Sequence, residues 1–299
     1  MENNVNIEIM KFLEMIESEK KKDAPTPTKL RVSTRSAICK ITRDIKVDKM
    51  VAVICHNIIH KPNYPILTIK YKDINISSVK KKKNNVNKKI KQNFFNQITL
   101  LIKPHESIRP QNIKLFKNSS MSMTGGKKHY DGLCAVIVLL NELKKYPSIF
   151  NTEEDRKMIG YENFGITLIN SDFSINYNID RMKLYELLVK EYNMFVIYSP
   201  DIYSGVKIYF FWNKNKKYQD GICNCKNKCY NKKNKYKTCN DCKKITIAIF
   251  QSGNIIITGA NHIKQTIVAY KHINMITSMH YNNLKRLTIH DCNLNITDK

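Results

Sequence analysis

Two distant segments of this chain recur at one spacing. Phe116-Lys-Asn-Ser-Ser-Met-Ser-Met-Thr-Gly-Gly returns as Phe250-Gln-Ser-Gly-Asn-Ile-Ile-Ile-Thr-Gly-Ala, 134 residues further on. Leu30-Arg-Val-Ser-Thr stands the same 134 residues before Phe164-Gly-Ile-Thr-Leu. A shared offset at two places marks a duplicated unit, and it restricts the fold to architectures built from two similar halves.

Each copy shows the same coarse order of elements. An alternating strand comes first (29–41 and 163–177), then a helix. The second of these helices is the clearer: Asp180 is its cap, and Met182, Leu184, Tyr185, Leu187 and Leu188 give its apolar spacing. Extended segments around 54–59 and 194–198 follow, then turns at Pro62 and Pro200, then strands at 66–76 and 206–212. Lys/Asn-rich insertions come next, at 77–95 and 214–243. A strand ending in Phe, a tight turn, a short strand ending Thr-Gly and a long helix (about 128–145 and 262–282) close each copy. Ile263, Ile267, Tyr270 and Ile273 line one side of the last helix. Strand runs with few crossovers predict an α+β fold, a mainly antiparallel sheet with helices on one face. The expected organisation is an appendage at 1–28, repeat 1 at 29–150, repeat 2 at 151–287 and a tail at 288–299. Within the appendage, Ile9, Phe12, Leu13 and Ile16 mark a short helix, which Pro25 and Pro27 end.

Charge then narrows the partner. Among 299 residues, 51 Lys+Arg against 25 Asp+Glu leave +26, with 42% hydrophobic residues to build packed cores. A surplus of that size calls for a polyanion: nucleic acid first, an anionic membrane surface second. No run of 18 apolar residues exists to span a bilayer. The N-terminal segment is acidic and lacks the pattern of a secretory signal. Gly-rich phosphate loops, His-Glu-x-x-His and Gly-x-Ser-x-Gly are absent, so the chain does not read as an enzyme. His56 and His60 fall in an expected strand, where their spacing makes a weak metal pair. The Lys runs at 80–83 and 88–91 add general phosphate attraction or a nuclear address.

Nine cysteines are unevenly spread. Cys39, Cys55, Cys134 and Cys292 stand alone, whereas Cys223, Cys225, Cys229, Cys239 and Cys242 crowd together. In a reducing compartment that crowding reads as zinc ligation, with four of the five thiols filling a tetrahedral site. Cys239-x2-Cys242 is the better-formed half. A metal would give a small loop without its own core a reason to fold.

The segment 249–260 resembles the signature of the TATA-box-binding protein family, in which a strand ends in Phe, turns through Ser-Gly and returns as an aliphatic strand ending Thr-Gly-Ala. Residues 115–126 are a degraded copy, and Val32-Ser-Thr-Arg-Ser-Ala-Ile-Cys-Lys-Ile is similar to the family's opening strand. The likeness covers about 29–287, apart from insertions at about 77–111 and 214–243, and the Lys/Asn/Ile-rich character fits the divergent members carried by large DNA viruses. It implies a saddle: two pseudo-symmetric repeats forming one curved antiparallel sheet, with DNA on the concave side and partner proteins on the convex helices. The implied function is a transcription initiation factor that binds and bends duplex DNA through the minor groove. Two rival expectations are a sequence-indifferent DNA-shaping protein and an interaction scaffold on a degraded fold.

The resemblance also implies site residues. In this family aromatic wedges unstack base steps at a cost of a few kcal/mol, recovered through the contacts that a bend exposes. Phe116 and Phe250 match one wedge of each pair, and Tyr64 and Tyr203 the other. Groove-facing positions fall at Val32, Thr34, Ser122 and Thr124 in the first copy and at Ile166, Leu168, Ile256 and Thr258 in the second. Lys70 matches a phosphate-binding Arg. Leu30 and Phe164 stand where the family has its central Asn pair, a departure that touches strict TATA selectivity. Ser199, Asp201 and Ile202 match half of a partner-binding stirrup. The expected partners are AT-rich double-stranded DNA and transcription factors or RNA polymerase, with no membrane; the expected state is a monomer on DNA. The expected location is intracellular, in the host nucleus, a cytoplasmic viral factory or the virion.

Overall fold

The computed structural model describes residues 24–79, 96–223, 225 and 241–286. The expected helix at 1–22, the Lys runs, Cys229, Cys239 and the tail lie outside them. Repeat 1 runs β1 (Arg31–Ile41), α1 (Val47–His60), β2 (Ile66–Tyr71), β3 (Ile74–Ser77), β4 (Gln97–Ile102), β5 (Gln111–Phe116), β6 (Ser120–Gly126) and α2 (Asp131–Lys144). A 3-10 turn at Pro147–Ile149 and α3 (Glu153–Met158) lead into β7 (Tyr161–Ser174). Then come α4 (Arg181–Lys190), β8 (Phe195–Ser199), β9 (Tyr203–Asn213), β10 (Cys242–Ile249), β11 (Asn254–Ala260), α5 (Ile263–Met279) and α6 (Tyr281–Leu284).

Two compact units divide the chain: a first unit, Thr34–Leu168, and a second unit made of Met1–Ser33 with Ile169–Lys299. In the first unit the antiparallel strands lie in the order β3-β2-β4-β5-β6-β1. In the second the order is β7-β11-β10-β9-β8, again antiparallel. Helices cover one face of each sheet. In the first unit Met50, Ile54, Ala135, Val136 and Leu139 are buried in one core with Ile69, Leu100, Ile113, Met121 and Met123. In the second, Leu184, Leu188, Ala269 and Ile273 are fully buried, as are Ile208, Ile245, Ile247, Ile255 and Ile257. Alternation along each strand sends the intervening side chains to the helix-free face.

The repeat spacing is preserved in the hydrogen-bonded ladder. Ile38 pairs with Ser122 in the first unit, and Asp172 pairs with Ile256 in the second, each residue displaced by 134. The Thr-Gly ending has a physical reason. Both closing strands break register there, with Gly125 at φ +112 and Gly259 at φ +98. A side chain at 259 would come 2.9 Å from the Lys244 carbonyl, so the bulge requires glycine.

Three expectations need correction. Residues 54–59 are not extended but form the end of α1, because Met50, Val51, Ile54 and Ile58 share one buried stripe at helical spacing. β-branched residues in that stripe imitate a strand when read locally. His56 and His60 accordingly lie one turn apart on a helix, ring centroids 4.6 Å apart. The expected strand 66–76 breaks at Lys72, φ 48, into the hairpin β2–β3. The third correction concerns the insertion: 97–102 is not part of it but a framework strand. β4 pairs with β2 and β5 as β9 pairs with β8 and β10, so β4 rather than 66–76 is the counterpart of β9. The helix capped by Asp180 is as expected, its carboxylate accepting from the N–H groups of Met182 and Lys183.

Candidate nucleic-acid interface

The helix-free face of the second unit carries a short list of side chains near its centre. Ile256 and Thr258 alternate with the fully buried Ile255 and Ile257, and Ile256 is 40% exposed. Their ladder partners on β10 are Ala248 and Thr246. On β7, Asp172 is paired with Ile256, and the Asn170 side chain accepts a hydrogen bond from the Thr258 hydroxyl. Asn170 went unmarked in the sequence because its neighbours Ile166 and Leu168 fit the expected pattern of groove residues. In the first unit, Ser122 and Thr124 occupy the corresponding positions, alternating with buried Met121 and Met123, with Ile38 and Ser36 opposite them. A patch of apolar and small hydroxyl groups on a sheet suits a groove whose base edges present few, nearly degenerate acceptors.

Aromatic rings stand at the rim. Phe250 is half-buried where β10 enters the turn to β11, and its N–H donates to Asn254 O at 3.0 Å. Tyr203 opens β9 beside it, the ring centroids 5.7 Å apart, with Lys207 Nζ 3.8 Å above the Tyr203 ring. Phe116 holds the Phe250 position in the first unit and pairs with Gln97. Tyr64 does not join it. At 8% exposure it belongs to the core, with its hydroxyl 3.4 Å from the Asn57 amide that donates to it. Burial pushes the Tyr64 phenol up to about 12, against the opposing pull of the Asn57 bond. The reassignment of β4 explains the misplacement. Tyr203 stands two residues before Gly205, the residue preceding the Val206–Ile249 pair. Two residues before Gln97 is Phe95, which lies outside the described residues.

The opening strands divide. Val32 and Thr34 are half-buried, and Leu168 likewise. Ile166 is half-buried and packs against the first unit's core together with Phe164, whose ring meets His129 edge-on at 6.2 Å. Arg31 was not singled out by sequence. It reaches Asp172 with Nε at 2.9 Å and a terminal guanidinium nitrogen at 2.7 Å, masking the acid beside Ile256. On β2, Lys70 is exposed next to Thr99 of β4. Ser199, Asp201 and Ile202 form the exposed turn between β8 and β9, closed by Ile202 N–H to Ser199 O at 3.0 Å, and Ile202 is 87% exposed.

Three of the five clustered thiols come together. The sulfurs of Cys223, Cys225 and Cys242 lie within 4.8 Å of one another, with Cys225 Sγ 3.4 Å from Cys242 Sγ. Among the described residues no helix is long and apolar enough to cross a membrane.

No protein-family model matches this chain. Among solved structures, TBP of Methanococcus jannaschii superposes with a TM-score of 0.44 at 13% identity, over 83% of this chain and 98% of that one. Among curated proteins, "TATA-box-binding protein-like" of Acanthamoeba polyphaga mimivirus is 32% identical over 276 residues, 87% of this chain and 68% of its own length. At that identity, over that share of both chains, this chain belongs to the TATA-box-binding protein-like family.

Proposed function

We propose that this protein binds duplex DNA through the helix-free strand faces of its two units, enters the minor groove and bends it, and so positions transcription machinery at initiation. The saddle expected from the family resemblance is part of this reading, with the duplex on its concave side. The observation that carries it is the duplicated set Ser122/Thr124 and Ile256/Thr258, in one ladder register and each set flanked by a Phe at the turn. Such a surface offers little to charged groups and much to the walls and floor of a minor groove. The surrounding cations supply phosphate attraction that weakens with salt.

AT-rich duplexes are the proposed target, because flexible steps deform at least cost. Polymerase or other initiation factors are the proposed protein partners, with the Ser199–Ile202 turn as one contact and a single chain per site. A zinc ion on the clustered thiols and action in a reducing compartment complete the proposal.

Band shifts and fluorescence-based bending on AT-rich and GC-rich duplexes test it. Preferential, sharply bent AT-rich complexes are expected. Binding indifferent to sequence would transfer the protein to general DNA shaping, and no binding at moderate salt would leave a protein-interaction scaffold.

A further inference from the structure

The thiol cluster lies on the same face of the second-unit sheet as Ile256 and Thr258. On β10, Ile245, Ile247 and Ile249 are fully buried on the helix side, so Cys242, Lys244, Thr246 and Ala248 point the other way. The ladder agrees, placing Cys242 beside Asn213, Lys244 beside Phe211, and Thr246 beside both Tyr209 and Thr258. Cys223, Cys242 and Phe211 form a small buried cluster there, with Phe195, Tyr209 and Cys225 packed against it.

The chain after β9 is shaped to return those thiols. Phe211 N–H donates to Gly221 O at 2.9 Å, so the segment doubles back along the edge of β9. Lys216 Nζ fastens the bend, reaching both Asp220 oxygens at 2.9 and 3.1 Å and Ile222 O at 3.0 Å. Gln219 holds Asn213, accepting from its N–H at 2.9 Å and donating to its carbonyl at 2.7 Å. The Asn213 amide in turn donates to Cys242 Sγ at 3.5 Å. An oriented N–H aimed at a sulfur is the outer support that thiolate metal sites use. Three sulfurs this close, one of them already so supported, are three corners of a tetrahedron.

We propose that Cys223, Cys225 and Cys242 bind zinc as thiolates, each giving its proton to solvent, and that the ion clamps the 214–225 loop onto the DNA-facing side of the sheet. Exposed Lys214 and, on the same face of β10, Lys244 are thereby held where they meet phosphates beyond the Ile256–Thr258 patch. Only this last role rests on the DNA-binding reading; the metal site does not.

The test uses the full chain purified without chelator. One zinc per chain is expected, and so is a thiolate-to-metal absorption band after exchange with Co2+. Both should be lost in Cys225→Ser, and both retained in Cys55→Ser. Chelation should weaken binding to an AT-rich duplex and flatten its salt dependence by about one unit of slope per lost phosphate contact. Added zinc should restore both. Thermal melting of Cys225→Ser, with the sheet transition retained, separates loss of the clamp from loss of the fold. No bound metal would overturn the site. Metal bound but DNA affinity and salt slope unmoved by chelation would overturn the role. Failure of the zinc-loaded chain to bind any duplex would overturn the DNA reading and the role with it, while zinc stoichiometry would still decide the site.

Discussion

The rings of Tyr203 and Phe250 stand 5.7 Å apart and tilted by 57°, over a residue with no side chain. A Cβ on Gly205 would come 2.8 Å from Cε1 of Tyr203 and 3.2 Å from Cε1 of Phe250. The glycine therefore sets how closely the two rings approach the sheet. Gly205→Ala should displace the pair and reduce the bend of an AT-rich duplex, with a smaller effect on thermal stability, since the displaced atoms are ring edges at the rim. A bend unchanged in the variant would separate ring placement from bending.

Phe116 and Phe250 occupy equivalent places in the two units, so each should act at its own end of the site. Either single change to Ala should remove about 1–3 kcal/mol of binding, the scale of one aromatic–base stack. The double variant should retain affinity from its phosphate contacts but lose most of the bend. Bending that survives both changes would show that neither ring is a wedge.

How far the sequence discloses this architecture can be judged from particular residues. The offset of 134 survives in the pairs Ile38–Ser122 and Asp172–Ile256 because hydrogen-bond register ties it to backbone geometry. The strand that ends at Phe116 and the cap at Asp180 are legible for the same local reasons. Sequence alone places Tyr64 at the rim because a Tyr-Pro pair after a turn looks alike on an outer strand and on its neighbour. Only the pairing of β4 with β5 shows which strand is which. The helix at 47–60 hid behind Val51, Val53, Ile54, Ile58 and Ile59, whose branched side chains favour strands until tertiary packing decides. Asn170 and Arg31 were invisible for another reason: their roles depend on Thr258 and Asp172, partners 88 and 141 residues away.

Under the proposed minor-groove reading, Asn170 would supply polarity that positions 30 and 164 lack. Its amide oxygen accepts from the Thr258 hydroxyl, which leaves the amide nitrogen to donate to the acceptors of A·T pairs. Asn170→Ala should narrow the affinity gap between AT-rich and GC-rich duplexes by about 1 kcal/mol, the low end of the range for a specific base contact. Asn170→Asp should weaken binding to both, because a carboxylate meets only acceptors and phosphates there. Competition band shifts distinguish the two outcomes, and an unchanged preference in Asn170→Ala would remove the residue from recognition.

His272 should contribute to the acid sensitivity of the fold. It is buried in α5, with its ring 5.4 Å from Phe210 and, among the described residues, no hydrogen-bond partner on either ring nitrogen. Burial pushes its pKa down to about 4, opposed by the more distant Asp220 carboxylate. Between the unfolded value of 6.5 and about 4, the unfolded chain binds a proton that the folded chain refuses. Stability contributed by the neutral ring is thus complete above about 6.5, falls as pH drops through that window, and levels off below it. The loss is on the order of 3 kcal/mol for a shift of this size. His272→Leu keeps an apolar side chain against Phe210 and removes the titration. Urea unfolding followed at several pH values should show a shallower decline between pH 6.5 and 4 in the variant than in the parent. Parallel declines would mean that carboxylates, rather than this imidazole, carry the acid sensitivity.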